Sequence, residues 1–143
     1  MDRKELYLEA YDWKVTVYFD ADIRNYRDIT SHLIDLGITP ERLSRACRLL
    51  LSDRYNYGLT HSNLNARETV IVIGPTTSKA EFFNSIEHEL RHLTDDIALA
   101  FDLDPAGEEV GYLTGDINYC LTGKIQERIC SCGQPKHEGP CHI

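Results

Sequence analysis

Trp13, Val15, Val17 and Phe19 alternate with Lys14, Thr16 and Tyr18, and a period of two predicts a half-buried β-strand. Residues 5–10 predict a partner for it, joined through Tyr11-Asp12 as a hairpin. From Asp22 to Leu36 the apolar period lengthens to that of a helix, and Gly37 stands where helices commonly stop. Thr39-Pro40 reads as an N-cap followed by proline in the first turn. The helix it opens runs to about Ser52, with Leu43, Ala46, Cys47 and Leu50 facing inward. Tyr55 to Ala66 is polar and glycine-containing, a loop or a weak strand. Thr69-Val70-Ile71-Val72-Ile73, closed by Gly74-Pro75, is a β-branched run that predicts a second strong strand. Leading straight into a helix, this strand would offer an edge for an extended peptide, although a core strand of any α+β domain looks the same.

Ser78-Lys79-Ala80-Glu81 then forms a capping box. Behind it Phe82, Ile86, Leu90, Leu93, Ile97 and Phe101 recur at steps of three and four, the stripe of a long amphipathic helix. Asp104-Pro105 predicts the start of a last helix, whose core stripe is Val110, Leu113, Ile117 and Leu121. Strand, two helices, strand and two helices make a small α+β domain over residues 1–128, with helices on one face of a small sheet. Residues 129–143 read as a tail.

The long helix carries chemistry. His88-Glu89-Leu90-Arg91-His92 is an H-E-x-x-H pentad. Residues four apart on a helix share a face about 6 Å apart in rise. Two imidazoles so placed can hold one Zn²⁺, and the glutamate beside the first can act as general base on a water. The bland alternative is a surface helix with solvated histidines. A catalytic zinc takes a third protein ligand. Glu108, Gly111 and Gly115 form a stripe of low bulk on the last helix, and close approach there would bring Glu108 to a metal. Simple antiparallel packing instead sets Asp116 level with His92, so Glu109 and Asp116 stay as rivals. Asp95 and Asp96 are available to orient a zinc-bound histidine or merely to solvate the helix.

The pentad followed by Glu108-Glu109-Val110-Gly111-Tyr112 resembles the gluzincin type of zincin metallopeptidase, in which a glutamate on a later helix binds the metal. The stretch from Thr69 to Ile117 is similar to short zincin-like proteins encoded by bacteriophages and prophages, most of unproven activity. The resemblance implies a zincin-like fold with one Zn²⁺ on His88, His92 and Glu108, Glu89 as catalytic base, and a peptide or protein substrate. It departs at Tyr112, where many gluzincins have an aspartate. The oxyanion donor of such a reaction is open between Tyr112 and His61. The other functional class is a regulatory or interaction protein of zincin shape, with a structural zinc or lost activity.

Charge and cysteines narrow the partners. The net charge is −8, which argues against nucleic acid, since phosphate binding needs clustered cations. Arg42, Arg45 and Arg48 line one helix face and read as a mixed, solvated surface. No apolar run suffices to span a bilayer and the first residues lead into no signal-peptide core, so the expectation is a cytoplasmic protein, in the bacterial host if phage-encoded. Cys47 and Cys120 are expected to be small buried residues. Cys130, Cys132 and Cys141, with His137 and His142, offer enough soft ligands for a second, structural zinc, but they lack a usual zinc-knuckle spacing, and the glycines and prolines among them predict a flexible tail instead.

Overall fold

The computed structural model describes residues 2–129. The Cys/His-containing segment, with its possible second metal site, lies outside them. The chain forms an α+β fold around a four-stranded mixed sheet. Strands β1 (Asp2–Leu8) and β2 (Trp13–Phe19) pair as a hairpin, with Leu8 opposite Trp13, but β1 lies earlier than the expected residues 5–10 because Glu9–Tyr11 winds as a tight turn. Asp12 turns the chain in the left-handed region at φ 49°. Helices α1 (Tyr26–Asp35) and α2 (Pro40–Leu50) follow, then β3 (Gly58–Asn63), β4 (Glu68–Ile73), α3 (Lys79–Phe101) and α4 (Glu108–Ile129).

The sheet order is β1-β2-β4-β3. β4 lies parallel to β2 and antiparallel to β3. Two expectations are corrected here. β4, the strand leading into the long helix, is central, and β3, within the stretch expected as a loop or weak strand, forms the edge beside it, with β1 at the opposite edge. The helices also cover both faces of the sheet rather than one. Val15, Val17, Ile71 and Ile73 pack with Phe82, Ile86, Leu93, Ile97, Leu113 and Ile117 beneath α3 and α4. On the other face Tyr18, Val70 and Val72 pack with Ile29, Leu33, Ala46 and Leu50 of α1 and α2. Six of the seven β2 residues are therefore buried, where alternation alone predicted three or four.

Local chemistry sets the ends of the helices. Thr39 caps α2 by accepting from the Arg42 N–H at 3.4 Å, and Ser78 caps α3 by accepting from Glu81 N–H at 3.1 Å. Asp102, at φ 54°, terminates α3. α4 begins later than Pro105, because the Asp104 carboxylate accepts from Ala106 N–H and its carbonyl from Gly107 N–H, closing a separate turn first. Cys120, expected inside, is exposed on α4.

Candidate metal centre and groove

α3 is long because its apolar stripe is unbroken, and its two other faces are used differently. Leu90 and Leu93 face the core, whereas His88 and His92 emerge one turn apart on the solvent side. Their Nε2 atoms converge to 3.3 Å. A tetrahedral zinc with Zn–N bonds of about 2.0–2.1 Å requires ligand nitrogens roughly 3.3–3.4 Å apart. The two imidazoles therefore fit the nitrogen half of a zinc site. Neutral rings at this spacing also hydrogen-bond, one Nε2–H donating to the other nitrogen.

Glu89, between them in sequence, is only 5% exposed. β3 holds it there. The Thr60 hydroxyl donates to Glu89 Oε2 at 2.6 Å. Gly58, two residues earlier on the same side of the strand, leaves the room: a Cβ at that position would stand 2.8 Å from Glu89 Cγ. A carboxylate withdrawn from water needs such partners, since burial of an unpaired charge is costly. Both contacts follow from side chains on alternate strand residues sharing a face.

His88, Glu89 and His92 open onto a groove of about 470 Å³. It runs beside edge strand β3, with α3 as one wall and α2 as the other. Asp96, one turn beyond His92, lies on the α3 wall, while Arg42 and Arg45 lie on the α2 wall. Arg42 is tied down: its Nη2 donates to the Thr60 carbonyl at 2.7 Å and its Nη1 to His61 Nδ1 at 3.0 Å. Of these, only Asp96 is singled out by the sequence, whereas Arg42 and Arg45 read there as a mixed, solvated surface, and their i, i+3 spacing on α2 is the one hint of a shared face.

Glu108 is placed elsewhere. It opens α4 with an exposed side chain and does not line the groove. Among the described residues no group of three or more His, Cys, Asp or Glu is gathered to hold a metal. The physical reason is that α4 packs through Leu113, Ile117 and Leu121, while Gly111 and Gly115 face open space instead of a close helix. The rivals are no nearer: Glu109 and Asp116 are exposed, and their charges act on Tyr11, helping burial to raise its pKa. Asp95 binds Arg91 at 3.0 Å rather than a histidine. Asp96 is the one carboxylate besides Glu89 among the groove-lining residues.

The two proposed oxyanion donors are also elsewhere. Tyr112 is 71% exposed on α4. His61, one residue from Thr60, points to the opposite face of the sheet. It is 6% exposed, with Nε2 3.2 Å from the Leu36 carbonyl. Since Nδ1 accepts from Arg42, Nε2 carries the proton and the ring is neutral. Burial, reinforced by the Arg42 charge, lowers its pKa against the opposing Leu36 hydrogen bond and the Asp96 charge.

No protein-family model, curated protein or solved structure matches the chain.

Proposed function

We propose that the chain is a zinc-dependent peptidase whose centre is His88, Glu89 and His92. One observation carries this reading: two imidazole nitrogens converge at the separation zinc requires, beside a buried glutamate braced by Thr60. A bare surface pair of histidines has no use for that glutamate. His88 and His92 would hold the ion, and Asp96 is the groove carboxylate available to complete or orient the set. When bound, zinc supplies a Lewis acid for the scissile carbonyl and acidifies the attacking water.

Glu89 would accept the proton of the attacking water and deliver it to the leaving amine, as general base and then general acid. The Thr60 hydroxyl pins Oε2, so Oε1 is the oxygen left to move the proton. β3, as the outer strand of the sheet, is where an extended peptide can add by backbone hydrogen bonds. Arg42 already takes the Thr60 carbonyl, so the peptide pairs with the remaining groups of that edge. On this reading the substrate is a peptide or protein and the compartment is the cytoplasm, of a bacterial host if the chain is phage-encoded. No described helix is long and apolar enough to cross a membrane.

The second reading is a regulatory or interaction protein with structural zinc or lost activity. It is favoured by one observation, the lack of a third gathered ligand among the described residues. Metal analysis separates the two. Wild-type protein should carry about one zinc, as for a site with an open coordination position. His88→Ala and His92→Ala should lose it, and comparing Asp96→Ala with Glu108→Ala identifies the completing carboxylate. Glu89→Gln should keep zinc and lose turnover by roughly a hundredfold or more. Undiminished cleavage by Glu89→Gln would remove the peptidase reading.

A further inference from the structure

The α2 wall of the groove carries Arg42 and Arg45 and the α3 wall Glu89 and Asp96, and neither arginine has a carboxylate partner among the described residues. Arg24 meets Asp22, Arg91 meets Asp95, and Arg128 meets Asp2 and Asp20, whereas Arg27, Arg48 and Arg54, like the groove arginines, have no ion pair with a described residue. Arg42 instead donates to two neutral acceptors, the Thr60 carbonyl and His61 Nδ1. That fixes the guanidinium plane without compensating its charge. Arg45, one turn further along the same face, has no ion pair or hydrogen bond with any described residue.

We infer that the groove selects peptides bearing a carboxylate, seated on Arg45 and Arg42 opposite the histidines. This rests on the peptidase reading for what happens next, but the recognition itself needs only the groove. A guanidinium offers a planar fork that matches a carboxylate and forms shorter, stronger hydrogen bonds than a neutral pair. Arg42 has donors left after its two internal bonds, and Arg45 has all of its own. Asp96 on the facing wall disfavours an acid beside it, and a carboxylate held by zinc instead would be indifferent to Arg45, so the arginine variants separate the two walls. Leu59 and Ile38 give apolar surface for the intervening chain. The preference also runs against the overall field of a chain of net charge −8, so a non-specific charge effect would have the opposite sign. The carboxylate can be an Asp or Glu side chain or the end of the peptide.

Zinc-loaded full-length Glu89→Gln, which binds without turnover, allows the test by fluorescence anisotropy. Four labelled short peptides are compared: one with glutamates and an amidated end, its glutamine analogue amidated, that analogue with a free end, and a lysine analogue. At least one carboxylate-bearing peptide should bind about tenfold tighter than the amidated glutamine peptide, the order expected of a charge-assisted bond. Which of the two does so tells side chain from terminus. Arg45→Ala should erase the difference, and Arg45→Glu should turn it towards the lysine peptide, with thermal melts confirming that these surface variants fold. Equal affinities, no binding by any peptide, or a preference that survives both variants would overturn the inference. Equal competition by an unstructured oligonucleotide would overturn peptides as the ligand. Selective binding with no cleavage by wild type sinks the peptidase reading alone, and cleavage indifferent to acidic residues sinks this inference alone.

Discussion

His61 and Thr60 are adjacent, and the pleat sends them to opposite faces of the sheet with opposite duties. Thr60 braces the candidate base, while His61 is a neutral, buried strut between α1 and α2. Because its folded pKa lies below the ordinary 6.5, the unfolded chain takes up the proton more readily. Its contribution to stability is therefore complete above that value and is lost as pH falls through the lowered folded pKa. Urea unfolding at pH 8, 6 and 5 should show this decline, and His61→Leu should flatten it relative to wild type. An unchanged slope would mean that another group governs acid sensitivity. At this scale the pentad was legible because its meaning is local, two rings and a carboxylate on one helical repeat. The partners of Glu89 were not, because Gly58 and Thr60 lie about thirty positions away and meet it only across the edge of a folded sheet.

Between elements, the contact of β3 with α3 controls the site. Gly58 has an ordinary backbone conformation, so what it provides is space and not a turn. Gly58→Ala would place a methyl group 2.8 Å from Glu89 Cγ. The glutamate or the strand must shift, at a cost of about 1–3 kcal/mol, as for other overpacked positions. On the peptidase reading, cleavage should fall by tenfold or more while zinc content is kept, since the atoms nearest the added methyl group belong to Glu89 and not to either histidine. Wild-type activity in Gly58→Ala would show that the glutamate's position is not critical. Strand β2 and the helices α1 and α2 were readable from alternation, period and caps, with α1 shortened because residues 23–25 wind as a tighter turn. β3 was obscure since an edge strand beside a polar groove carries few apolar residues: Gly58, Thr60, Ser62 and Asn63 have none of the β-branched density of β4.

For the whole molecule, the two hydrophobic cores share β2 and β4, whose side chains alternate between them. The cores should therefore melt together. Leu33→Ala beneath α1 and Leu93→Ala beneath α3 each empty a fully buried site, at a cost of about 2–5 kcal/mol. Thermal unfolding followed by calorimetry should stay a single transition at lower Tm in both variants, whereas two separate transitions would show that the faces are independent. The sequence by itself determined the α+β class, the existence of strands β2 and β4 though not their central place, all four helices and the H-E-x-x-H pentad, because periodicity and motif spacing act within a few residues. Tertiary structure alone decided that the sheet is covered on both faces, that β3 forms its edge, and that Arg42, Arg45 and Asp96 rather than Glu108 share the groove with the histidines. The physical reason is packing: which faces of α2 and α4 are buried depends on apolar contacts made over long sequence separations. No local pattern of charge or glycine spacing carries that information.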